Sequence, residues 1–181
     1  MSTAALFIDA NLRAPTYYVA RSNAHCRHCG LRTRLWALAV PRTHETLEDG
    51  TAVGDAGAVI DDAGAEAAQA SDAWQCPNVN AILFYVEALP QDVQFLLQQI
   101  APGFRPAQSA AIQARYWVNH CEHCGATLED HELHCEPDGA FLPSSEAAAA
   151  RIQLRRIQEP FEALSGGYSP DPPYFGLMRV S

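Results

Sequence analysis

Lysine is absent. All twelve basic residues of this 181-residue chain are arginine, set against twenty-one Asp and Glu, and the formal net charge is −9. So acidic a chain has no cation excess with which to neutralise a phosphate backbone, which argues against non-specific nucleic-acid binding. The restriction to Arg, together with abundant Ala, reads as the mark of a GC-rich genome and carries no functional message. Long apolar runs are missing too. The longest early one covers residues 4–8 and ends at Asp9, well short of the roughly 18 residues a membrane span requires. The opening residues lack the basic start, apolar stretch and small-residue cleavage pattern of a secretory signal. These absences predict a cytoplasmic chain with no membrane partner. No GxSxG elbow, P-loop, GxGxxG after a strand or EF-hand loop occurs, so nothing specifies an enzyme.

What is present is enough apolar material, 48% of the residues, to bury one core, and residues 1–181 read as a single domain. Within it a phrase occurs twice: HCRHCG at 25–30 and HCEHCG at 120–125. A Cys-x-x-Cys-Gly turn points two sulfurs at one ion while backbone N–H groups face the sulfurs and offset their charge. Two turns supply four thiolates. Zn²⁺ takes soft ligands in a closed tetrahedron at structural sites, so Cys26, Cys29, Cys121 and Cys124 form the natural four-cysteine set, with zinc as its structural ion.

Residues 15–42 and 112–136, which carry these turns, resemble the paired knuckles of zinc-ribbon and rubredoxin-type modules. The resemblance implies two β-hairpins clamping one metal; it covers about a third of the chain and implies no biological role. The long separation of Cys29 from Cys121 departs from a compact ribbon, but neither half has a four-ligand set of its own, which favours one shared ion. Iron on the same ligands, with electron transfer, is the rubredoxin-like alternative. A thioredoxin-like role would need a CxxC at a helix N-terminus, whereas Gly30 and Gly125 suit a tight turn. Haem attachment fails, since Gly follows each second cysteine.

Other ligand-type residues lie nearby. His25, His28, His120 and His123 flank the cysteines and are expected to support or surround the site without ligating. DHELHC offers His131, His134 and Cys135, but its HExH spacing is not the HExxH of zinc proteases; these are expected to be exposed on a return strand. Cys76 and Cys135 are expected to be buried free thiols.

Charge divides the two copies. Six Arg against Asp9 alone precede Glu45, whereas residues 120–140 hold six acids and no base. Docking of one copy on the other would use that asymmetry inside the fold. Along the chain, TYYVARS and RTRLWALAV read as strands around the first turn, and NAILFYVEAL as a buried strand. PQDVQFLLQQI reads as a helix opened near Pro90 and ended by Pro102 and Gly103. Residues 45–72 contain eight acids and no base or aromatic residue, and are expected to be a mobile acidic insertion. The tail is expected to be strand-like to Leu164, then to coil through Gly166, Gly167 and the prolines.

The fold class expected is α+β: two zinc-knuckle β-hairpins on one metal, with further strands and one or two helices. The role expected is a protein-interaction or adaptor module whose partner is another protein. A nucleic-acid-binding or regulatory protein is the alternative, and a rubredoxin-like iron protein the second.

Overall fold

The computed structural model describes residues 9–47, 74–109 and 112–181. The chain runs through β1 (Leu12–Ala14), β2 (Tyr17–His25), β3 (Arg32–Val40), β4 (Glu45–Leu47), β5 (Trp74–Gln75) and β6 (Ala81–Ala88) to helix α1 (Gln91–Ile100). Then follow β7 (Phe104–Gln108), β8 (Arg115–His120), β9 (Thr127–Leu128), a π-helical turn at His131–Cys135, the single-turn helix α2 (Glu146–Ala149), β10 (Gln153–Ile157), β11 (Phe161–Pro170), a 3-10 turn at Phe175–Leu177 and β12 (Arg179–Val180).

The α+β expectation is wrong. The described residues are mostly β, in a nine-stranded sheet of order β12-β10-β2-β3-β6-β11-β1-β4-β5 and a three-stranded sheet of order β7-β8-β9. Nor are two self-contained zinc-knuckle hairpins the organising unit. The strands around each cysteine turn are members of larger sheets, and burial of those sheets does the organising.

The pattern of burial follows from a sheet covered on both faces, which makes its strands read as near-continuous apolar runs. Tyr17, Val19, Leu38, Val40, Ala81 and Leu83 face one core with Val93 and Leu97 of α1 and with Phe104 and Trp117 of the small sheet. The alternate positions, Ala20, Leu35, Ala37, Ala39 and Ile82, face a second core closed by Phe141, Ile152, Leu154 and Met178. In α1 the apolar set splits: Val93 and Leu97 are buried, while Phe95 is 65% exposed.

Glycine misleads in the tail. The sequence predicts coil through Gly166 and Gly167, but β11 continues to Pro170, paired antiparallel with β6. A Cβ at Gly167 would fall inside the Phe84 ring, and one at Gly166 would press on Tyr85. Here glycine marks close approach of two strands, not a break. Of the acidic segment 45–72, Glu45–Leu47 form β4 and the remainder lies outside the described residues. Among the described residues no helix is long and apolar enough to cross a membrane.

Candidate metal centre

The two cysteine turns share one backbone design. In the first, the Cys26 N–H donates to the Leu31 carbonyl (2.9 Å) and the Gly30 N–H to the Cys26 carbonyl (2.7 Å). In the second, the Cys121 N–H donates to the Ala126 carbonyl (2.8 Å) and the Gly125 N–H to the Cys121 carbonyl (2.9 Å). Gly30 and Gly125 have φ of +73° and +72°, a left-handed conformation that a side chain would strain. The repeated phrase is thus a repeated turn. The first joins β2 to β3, which pair from Tyr18↔Ala39 to His25↔Arg32; the second joins β8 to β9, which pair at Asn119↔Leu128 and His120↔Thr127.

The turns meet. Cys26 Sγ lies 3.7 Å from Cys124 Sγ, and Cys29 Sγ 3.7 Å from Cys121 Sγ. All four sulfurs lie within 4.8 Å of one another, and among the described residues no other set of His, Cys, Asp and Glu converges in this way. Four sulfurs held about 2.3 Å from one Zn²⁺ would sit about 3.8 Å apart at the corners of a tetrahedron. The donor set therefore fits a four-thiolate ion. Cys26 and Cys121 are buried, and Cys29 and Cys124 lie toward the surface.

Backbone amides polarise the cluster. The Cys124 N–H draws the Cys121 thiol down to about 6 against the effect of burial, helped by the His123 N–H and by the Cys26 and Cys124 thiols; the His123 nitrogen is 3.4 Å from Cys121 Sγ. Cys29 moves the other way, to about 12. Its bond from the Leu31 N–H opposes that shift, while burial and hydrogen bonds with Cys121, Cys124 and Cys26 drive it. One thiolate forms readily, and its neighbours resist a second negative charge. A divalent cation removes that resistance.

The residues around the sulfurs lock the two sheets together. β3 pairs with β6 only at Leu38–Val40, leaving the backbone of Trp36 to the fully buried Asn119. The Asn119 carbonyl oxygen accepts from the Trp36 N–H and its amide donates to the Trp36 carbonyl, both at 2.8 Å. The Glu122 carboxylate accepts from the Arg34 guanidinium at 2.9 Å, and the Glu122 N–H donates to Thr33 Oγ1 at 3.1 Å. Arg27 pairs with Glu132. Basic and acidic copies face each other across the cluster.

Among the described residues the histidines stand outside the group of four sulfurs. His123 Nε2 lies 2.9 Å from the Arg32 carbonyl, and His120 Nδ1 3.0 Å from the Val118 carbonyl; His25 and His28 are exposed. His134 is not exposed on a strand as expected. It sits on the π-helical turn, 4% exposed, stacked on Phe141 with ring centroids 5.0 Å apart, and burial alone pushes its pKa down to about 3. Cys76 and Cys135 reverse the other expectation, for both are exposed.

Sequence reading also missed Asp130. It is buried, and its Oδ2 accepts from the Tyr85 N–H at 2.7 Å; burial drives its carboxyl up to about 7, opposed by that bond and reinforced by Glu129. Tyr85 itself takes φ +52° inside β6. No pattern of residue types announced this pairing, because it depends on a strand distortion. No protein-family model matches the chain, and no curated protein or solved structure matches it.

Proposed function

We propose that this protein binds one structural Zn²⁺ through Cys26, Cys29, Cys121 and Cys124, and that the ion staples the three-stranded sheet to the nine-stranded one. The observation that carries the reading is the 3.7 Å sulfur separations, which match a tetrahedron edge. When bound, the ion supplies cross-linking and charge neutralisation. The chain's own part is to hold four sulfurs in place, to aim amide N–H groups at them, and to lock the flanking strands through Asn119 and Glu122. Four thiolates close the coordination sphere and leave no position for a substrate.

The wider role that suits such a staple is a protein-interaction or adaptor module, in which metal sets the shape and another surface meets the partner. The nucleic-acid alternative loses support because Arg27 and Arg34 of the basic copy are paired with Glu132 and Glu122. The same four sulfurs would also accept iron. Elemental analysis of protein purified without added metal or chelator, with its visible spectrum, tests the reading. One zinc per chain and no visible absorption are expected; iron with a coloured spectrum, or two zincs per chain, would contradict it.

A further inference from the structure

Beside the cysteine cluster lies a cleft of about 250 Å³ lined by Ser22, Asn23, Arg32, Asp138, Arg151 and an apolar wall that includes Pro143. Its origin is topological. β10 ends its pairing with β2 at Arg21, so the edge of β2 at Ser22 and Asn23 has no strand beside it, and the chain from Asp138 to Arg151 passes at a distance.

The cleft sets two guanidiniums against one carboxylate, Asp138, a net positive charge in a chain of net charge −9. Neither the Arg32 nor the Arg151 guanidinium has an ion pair or hydrogen bond among the described residues. Of the acids in this part of the chain, Glu122 is paired with Arg34 and Glu132 with Arg27, Glu129 accepts from the Tyr116 and Ser109 hydroxyls and Asp130 from the Tyr85 N–H. Glu136 and Glu146 make no ion pair among the described residues, with Arg32 and Arg151 or with any other base. Asp138, the one acid in the lining, accepts from the Ser144 hydroxyl. Each guanidinium presents a planar fork of donors suited to oxyanions. Two forks offer more donors than a single carboxylate can use and suit the three terminal oxygens of a phosphate monoester, with Asp138 left to meet a hydroxyl of the ligand. The volume falls below the roughly 300–1,000 Å³ of clefts that enclose drug-sized ligands.

We propose that this cleft binds a small phosphorylated molecule, with Arg32 and Arg151 holding the phosphate and the wall at Pro143 meeting its carbon skeleton. Ser22 and Asn23 supply hydroxyl and amide contacts from the open edge of β2. The site goes beyond the metal reading and does not depend on which metal is bound.

Calorimetric titration of the metal-loaded protein with glycerol 1-phosphate, with glycerol and malonate as comparators, tests the assignment. Saturable one-to-one binding of the phosphate with a Kd of about 1 mM or tighter, and none of glycerol, is expected. Arg32→Gln and Arg151→Gln should each weaken it roughly tenfold, while Arg155→Gln, on a strand outside the lining, leaves it unchanged. Both guanidiniums are exposed and unpaired, so metal content and melting temperature without ligand should stay at wild-type values in these variants. Lack of saturable binding, or affinity retained in the Arg32→Gln/Arg151→Gln double variant, would overturn the site. Malonate bound as tightly as the phosphate would overturn the choice of ligand, and binding of an oligonucleotide alone would overturn the small-molecule reading.

Discussion

Two regions of this molecule are rich in side chains that bind metals, and only one brings them together. The cysteine turns lie 91 residues apart in sequence yet place four sulfurs within 4.8 Å. The His131–Cys135 turn packs two histidines and a cysteine into five residues, and its geometry scatters them: His134 enters the core while Cys135 points out. Residue type is a poor guide to a site. A turn that fixes the backbone, repeated where two sheets meet, is a better one.

The sharpest way to break the comparison is to remove one sulfur. Cys121→Ser should abolish metal retention and the stability that goes with it, of order 10 kcal/mol apparent for structural zinc. Thermal melting with and without a chelator would show it, since chelator should then cost the variant nothing further. His134→Leu, by contrast, should keep the metal in full.

The second prediction uses the opposite pKa displacements at Asp130 and His134. Asp130 is raised to about 7 in the fold, so its contribution is full below its unfolded value near 4 and is lost as pH rises to 7. His134 is lowered to about 3, so its contribution is full above about 6.5 and is lost as pH falls. Between about pH 4 and 6.5 the two slopes oppose each other. Asp130→Asn should therefore expose a loss of stability on acidification, and His134→Leu a loss on going from pH 4 to 7, each worth up to about 4 kcal/mol. Urea unfolding of wild type and variants compared at each pH, so that the loss of metal on acidification is common to all of them, measures both, and variants that both keep the wild-type profile would refute the assignment.

Smaller effects belong to the lock between the sheets. Asn119→Ala leaves the Trp36 N–H and carbonyl unpaired in a half-buried place and should cost about 1–3 kcal/mol, read as a lower urea midpoint with metal content unchanged. Glu122→Gln removes a half-exposed pair with Arg34 and should cost at most about 1 kcal/mol, with weaker salt dependence of stability.

Much of the site was legible because its signal is local. Cys26, Cys29, Cys121 and Cys124, with Gly30 and Gly125 behind them, announce a turn whose conformation only glycine accepts easily. Helix α1 was legible from Pro90 to Pro102 for the same reason. The fold was not, because sheet order depends on pairings as distant as Leu12↔Ala163. Gly166 and Gly167 read as breakers until Phe84 and Tyr85 are placed against them. His134 reads as exposed until the rings of Phe84 and Phe141 are placed against it.

The central claim is that the phrase is written twice because each copy holds half of one tetrahedron. X-ray absorption at the zinc edge of the purified protein tests it most directly. One zinc per chain with four sulfur neighbours at about 2.3 Å is the expected result; nitrogen in the first shell, or no bound zinc, would contradict it.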